Sequence, residues 1–306
     1  MRLRIDLAYD GTDFSGWASQ PGLRTVQETV QEALGTALRT DPVPVTCAGR
    51  TDSGVHARGQ VLHVDVDEAV LASSAGRSPV APTDALVRRL NGILPADVAV
   101  RAVASVPDAF DARFSALWRR YAYRVSDSPA TLDPLAVRHV LRWSRPLDVP
   151  LMARAAETLQ GRHDFAAFCK AREGATTIRT LEHFTWARDE AGLAVAHVRA
   201  DAFCHSMVRA LVGCLLAVGE GRRPVEWPAA VLAAGERTSH VAVAHAHGLV
   251  LEEVAYPADA DLGARNERTR ARRRADEVAG HACPDIEPDT QPDEGPDDSE
   301  HEGDRG

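Results

Sequence analysis

The order in which the amphipathic segments follow one another constrains this chain most. Residues 3–9 (LRIDLAY) alternate apolar and polar with period two, which predicts a half-buried strand. Thr25 and Glu28 have capping-box spacing ahead of a helix running to about Arg39, with Val26, Val30, Ala33, Leu34 and Leu38 on one face. Residues 42–49 and 59–66 read as strands, 83–91 as a helix and 98–106 as a strand. This β-α-β-β-α-β order is that of the ferredoxin-like motif. It then recurs as a strand at 119–125, a helix over 150–160 ending at Gly161, and a hairpin of 180–187 with 192–200. A helix from about Phe203 to Val218, a shorter one at 228–235 and a strand at 248–256 complete it. The prediction is an α+β chain whose two ferredoxin-like halves, 1–110 and 111–258, join edge to edge in one mixed sheet. Helices would cover one face and leave the other as an open platform, as in RNA-recognition modules.

The formal charge of −9 is unevenly placed. Residues 276–306 hold twelve acids and one base, Arg305, and take −11 with them; the first 275 residues are left at +2. Val278 and Ile286 are the large aliphatics of that acidic block and it has no aromatic residue, too little apolar surface to offset the entropy of ordering. Six arginines between Arg265 and Arg274 precede it and have the makings of a short helix. Residues 259–306 are therefore expected to be a disordered, basic-then-acidic tail. It reads as a solvated tail, or as a basic arm on RNA phosphates with which the acidic block competes. An acidic total thus does not exclude a nucleic-acid partner. The chain has 34 arginines and one lysine, Lys170; guanidinium groups bind phosphate bidentately and stack on bases.

Cys47, Cys169, Cys204, Cys214 and Cys283 are odd in number and lack Cys-x-x-Cys spacing. That argues against a disulfide framework and a zinc knuckle and for a reducing cytoplasm. Cys204 reads as plain core. No run of 18 apolar residues and no apolar leader is present, so neither a membrane span nor secretion is expected.

Chemistry concentrates in Cys47-Ala48-Gly49-Arg50-Thr51-Asp52-Ser53-Gly54-Val55-His56-Ala57, between the second and third strands. Gly49 and Gly54 permit tight backbone paths. Arg50 and Asp52 share a face if the strand extends that far, and a guanidinium beside Asp52 would keep it ionised. An ionised, positioned aspartate can act as nucleophile or base. The same residues equally fit a turn in which Asp52 bonds its own backbone amides.

This segment resembles the Gly-Arg-Thr-Asp-x-Gly-Val-His-Ala signature of the tRNA pseudouridine synthase A family, with Ser53 where that family usually has alanine. Further matches follow in order: Tyr9-Asp10-Gly11 with Gly16-Trp17, and Ala112-Arg113-Phe114-Ser115 with Arg119-Arg120-Tyr121-Ala122-Tyr123. They continue with His163-Asp164-Phe165 and Phe168, Phe203-Cys204-His205-Ser206-Met207-Val208-Arg209, and Gly248-Leu249-Val250-Leu251. Trp17-Ala18-Ser19-Gln20 departs from the family's W-Q-x-Q form. The resemblance covers about residues 1–256 and leaves out the tail.

The resemblance implies a pseudouridine synthase fold with a central cleft, and conversion of uridine to pseudouridine in the tRNA anticodon stem-loop, at about positions 38 to 40. It implies Asp52 as nucleophile, Arg209 as its paired arginine, Arg50 as an aid to flipping the base, and Tyr121 as a contact to that base. Leu249 and Leu251 would wall the pocket, and both also read as strand core. His56 and His205 fit structural hydrogen bonding as well as catalysis. A homodimer is implied. The isomerisation has no net redox change, so no cofactor and no metal is expected. Two other readings fit parts of the chain: a metal-dependent phosphohydrolase using Asp52, His56, His63 and Asp65, and a non-catalytic RNA-binding platform. The first is weakly signalled; the second gives no reason for an Arg-x-Asp loop.

Overall fold

The computed structural model describes residues 1–76, 79–170, 176–237 and 239–270. The chain begins with β1 (Arg2–Tyr9), α1 (Val26–Leu38), β2 (Thr46–Cys47), β3 (His56–Asp65), α2 (Glu68–Ala75), α3 (Pro82–Ile93) and β4 (Val98–Val106). It continues with β5 (Trp118–Ser126), β6 (Leu141–Arg142), α4 (Val149–Glu157), β7 (Gly161–Asp164), β8 (Ile178–Arg188) and β9 (Ala194–Ala200). Last come α5 (Met207–Gly219), α6 (Trp227–Ala234), β10 (Leu249–Ala255) and α7 (Leu262–Arg270).

Along β1 the odd residues Leu3, Ile5, Leu7 and Tyr9 are buried and the even ones half-exposed, as their alternation predicts. Leu34 of α1 and Leu86 and Leu90 of α3 lie in the same apolar cluster. The start of α1 differs from the expected capping box. Thr25 stands at the cap position, but its hydroxyl caps nothing and is buried without a partner. The carbonyls of Gly16 and Trp17 instead accept from the amides of Val26 and Gln27, at 3.2 and 2.9 Å. Loop backbone thus satisfies the orphan donors of the first turn.

Ten strands form one sheet among the described residues: eight follow the order β4-β1-β3-β10-β5-β9-β8-β7, and β2 pairs with β3 and β6 with β5 off that path. Every adjacent pair along the path is antiparallel except β3 with β10, which is parallel. That seam sets Val250 opposite His56 and Leu251 opposite Ala57. The other end of the same β3 edge is taken by β2, with Thr46 opposite His63. The strand expected over 42–49 therefore shrinks to two residues. Pro42 and Pro44 have no amide to donate, and β10 occupies the rest of the edge.

Other boundaries shift for local reasons. α2, absent from the sequence reading, starts at Asp67, whose carboxylate accepts from the amides of Ala69 and Val70. α4 stops at Glu157, and Gly161 (φ +112°) opens β7 rather than ending the helix. α5 starts at Met207 instead of Phe203. The segment before it is tied elsewhere: Cys204 is joined to Cys169 by a disulfide with Cα atoms 5.7 Å apart, and the Lys170 amide donates to the His205 carbonyl. This corrects the reading of Cys204 as plain core; the sequence argued against a disulfide framework, and among the described residues there is this single link. The cysteines are 35 residues apart, and only the fold makes them neighbours. Cys47 and Cys214 are free and buried.

The disordered tail expected from residue 259 is also corrected over 259–270. Leu262 is buried, the Asn266 side chain donates to the Ala109 carbonyl and accepts from Ser115, and the Arg265 guanidinium donates to the Ala116 carbonyl. Leu262, Asn266 and Thr269 recur at helical spacing, so one face of α7 has something to bury. The rest of the basic run and the acidic block lie outside the described residues. Among those described, no helix is long and apolar enough to cross a membrane.

Candidate active site

The loop between β2 and β3 is pinned residue by residue. The Ala48 carbonyl accepts from Arg119 Nη2 at 2.8 Å, and the Gly49 carbonyl from Gln60 Nε2 at 2.8 Å. The Thr51 hydroxyl bonds the Tyr9 hydroxyl at 2.8 Å, and its carbonyl accepts from the Trp17 amide at 3.0 Å. Gln60 and Tyr9 are buried and bonded to each other, so the network is shielded from water. Gly54 has φ +77° and turns the chain back towards β3, whereas Gly49 has no positive φ. The turn is closed by the Val55 amide on the Asp52 carbonyl, which leaves the Asp52 carboxylate free to face outwards. The Asx-turn is thus not formed.

What that carboxylate meets comes from the other half of the chain. Arg209 Nη1 donates to Asp52 Oδ2 at 3.0 Å and the Ser206 hydroxyl to the same oxygen at 3.3 Å. His205 Nε2 lies 3.6 Å from Oδ1. Arg209 stands in the first turn of α5, and Ser206 precedes that helix in the left-handed region (φ 62°). The carboxylate therefore sits at the positive end of a helix as well as on a guanidinium. Arg209 is itself aimed: its Nε donates to the Ala244 carbonyl at 2.8 Å while its own carbonyl accepts from the Ala244 amide at 2.9 Å. One turn on, Gly213 lets residues 242–244 come close; a Cβ there would be 1.9 Å from the Ala242 carbonyl oxygen.

Asp52 and Arg209 lie in an open cleft of about 430 Å³ with Arg50, Ser53, Trp17, Gln20 and His205. Arg50 is exposed, and among the described residues it has no hydrogen bond or ion pair. It is not the partner of Asp52, because the strand ends at Cys47 and the loop carries Arg50 aside. Tyr121 lies deeper, 8% exposed and edge-on to Phe203 with ring centroids 5.2 Å apart. Burial pushes its hydroxyl pKa well up, and the Asp52 charge adds to the shift. Tyr121 is thus a phenol and not a phenolate. Leu251 pairs with Tyr121 across the strands and Leu249 with Tyr123; both leucines are buried on that same side of the sheet and do not line the open cleft.

The remaining candidates have other partners. His56 Nδ1 accepts from the Gly11 amide at 3.1 Å and lies 3.1 Å from Asp10; burial pulls its pKa down. His63 accepts from the Ala112 amide, and Asp65 pairs with Arg2. Asp52, His56, His63 and Asp65 therefore do not converge, and no group suited to a metal ion occurs among the described residues. Cys47 sits beside the loop, with its thiol pushed up to about 12 by burial, which removes it as a nucleophile. Sequence reasoning missed Ser206 as a partner of Asp52, and missed Tyr9, Gln60 and Arg119 as supports of the loop. The signal for the last two was present: each is a polar residue on an otherwise apolar strand face.

A carboxylate on a loop, an arginine from the opposite half and an open cleft between them suit chemistry on a bulky substrate. A family model described as tRNA pseudouridine synthase matches residues 7–115 and 155–257, and the chain belongs to that family of isomerases. The chain is similar to tRNA pseudouridine synthase A of Frankia casuarinae, 58% identical over 271 residues, covering 89% of this chain and 95% of that one. It is 57% identical to tRNA pseudouridine synthase A of Streptomyces griseus (88% and 93% covered) and 50% identical to that of Mycobacterium leprae (88% and 94%).

Proposed function

We propose that this chain isomerises uridine to pseudouridine in the anticodon stem-loop of tRNA, at about positions 38 to 40, with Asp52 as nucleophile. The observation that carries this reading is the 3.0 Å pairing of Asp52 with Arg209 across the cleft. In the reaction the bond from C1′ to N1 breaks, the uracil turns, a bond from C1′ to C5 forms, the C5 proton leaves and N1 gains one. Nothing is oxidised, and no cofactor enters. Attack at C1′, addition at C6 and elimination to a glycal all start from an ionised carboxylate held in place. Arg209 and Ser206 hold it in place.

The base must leave its stack to reach Asp52. Exposed, unpaired Arg50 is suited to the vacated stack or a backbone phosphate. The Tyr121 ring is suited to the flipped uracil, with Leu249 and Leu251 behind it. The pairing orders β4-β1-β3-β2 and β10-β5-β9-β8 support reading the chain as two ferredoxin-like halves, 1–110 and 111–258. We read the enzyme as cytoplasmic, where tRNA is, and as a homodimer. The second reading is supported by Leu135 at 93% and Val137 at 64% exposure in one surface loop.

Tritium release from tRNA labelled at uridine C5 tests the assignment. Asp52→Asn is expected to fold, to bind tRNA, and to lose release by at least about 10³-fold. Near-normal release by this variant would sink the nucleophile assignment.

A further inference from the structure

Arg119 belongs to the apolar side of β5, in line with Tyr121, Tyr123 and Val125, and is 7% exposed. Three backbone carbonyls take its guanidinium hydrogens, and among the described residues no carboxylate pairs with it. Nη2 donates to Ala48 at 2.8 Å and Arg113 at 2.7 Å, and Nη1 donates to Asp201 at 2.8 Å. Burying a cation on neutral partners is unfavourable, and burial pulls its pKa below the ordinary arginine range. Stability alone would favour an apolar residue there.

The three carbonyls explain its presence by where they lie. Ala48 opens the loop that carries Asp52. Asp201 follows β9 and leads through Phe203 to Ser206 and Arg209. Arg113 belongs to the connection between the halves. A guanidinium is planar, and its donors diverge at fixed angles, so it sets the spacing between these carbonyls. Tyr9, Gln60 and Trp17 hold the loop from the first half, and Ser206 and Arg209 meet the Asp52 side chain from the second, whereas Arg119 bonds backbone carbonyls on both sides.

We propose that Arg119 is a positioning residue that fixes Asp52 against Arg209 by tying the start of the catalytic loop to the segment that leads into α5. The inference rests on the assignment of Asp52 and Arg209 above. Arg119 lies beneath the cleft and outside its lining, so it should govern turnover and leave tRNA binding alone. Arg119→Lys keeps the charge without the fork, and Arg119→Met removes both.

Steady-state tritium release with full-length protein separates the outcomes, with circular dichroism and thermal midpoints to confirm folding. Expected is a drop in kcat of about 100-fold for Arg119→Met, the scale of an ångström of misplacement, with KM for tRNA within about threefold. Arg119→Lys should fold, recover part of kcat, and stay at least about tenfold below the wild type. Either variant within threefold of wild-type kcat overturns the proposal. So does a fall in activity that only tracks the folded fraction, including failure of Arg119→Lys to fold. No release by the wild type would refute the underlying assignment instead.

Discussion

Asp52 and Arg209 are 157 residues apart in the chain and 3.0 Å apart in space. The guanidinium makes two bonds in two directions, Nη1 to Asp52 and Nε to the Ala244 carbonyl. A lysine has the charge but not the planar fork that serves both. Arg209→Lys should therefore retain tRNA affinity and lose about 100-fold in kcat, read by single-turnover tritium release. Asp52 was legible in the sequence because its loop is contiguous, with glycines around an Arg-x-Asp core. The partnership with Arg209 came only from family resemblance, since no local spacing links the two positions. Gln60 and Arg119 were visible as polar intrusions on apolar strand faces. Their targets are backbone carbonyls, which leave no trace in side-chain pattern, so their role could not be read.

The elements that were predicted well are those whose own periodicity decides them. β4 spans 98–106 as its alternation indicates, and α1 is within a residue of its expected limits. Those decided by competition were not. β2 loses its edge of β3 to β10, and α5 loses its first turn to the Cys169–Cys204 link and the Lys170 contact. The cap of α1 shows the same limit: Thr25 was the right position, but carbonyls of the 16–17 loop do the capping. At α5 the close approach of residues 242–244 sets a sharp steric test. A methyl on Gly213 would overlap the Ala242 carbonyl, so Gly213→Ala should cost about 3 kcal/mol. Urea unfolding should show it as a lower midpoint with unchanged slope.

At the scale of the whole molecule, charge placement says more than the total of −9. On the side of β5 away from the core, Arg120 pairs with Glu253 and Arg124 with Glu252, at 3.0 and 2.8 Å. These half-buried arginines are already paired with neighbouring carboxylates, while exposed Arg50 in the cleft is not. The open platform expected from the element order is thus a poor phosphate binder in its own right, and the cleft a better one. If the exposed loop with Leu135 and Val137 joins two copies, sedimentation at micromolar protein should give the mass of two chains. Leu135→Asp should shift that mass towards one.

The parallel seam between β3 and β10 has a consequence for the order of synthesis. Among the described strands β10 is the last to be made, and it joins β3 to β5, meeting β3 at Val250 and Leu251. A nascent chain carries Asp52 long before it has Arg209, and Arg209 before the seam can close. The carboxylate is present early but has no cleft and no cation. On the proposed assignment of Asp52 and Arg209, chemistry on RNA would begin only once translation has passed residue 251, and an unfinished chain surrounded by tRNA would stay silent.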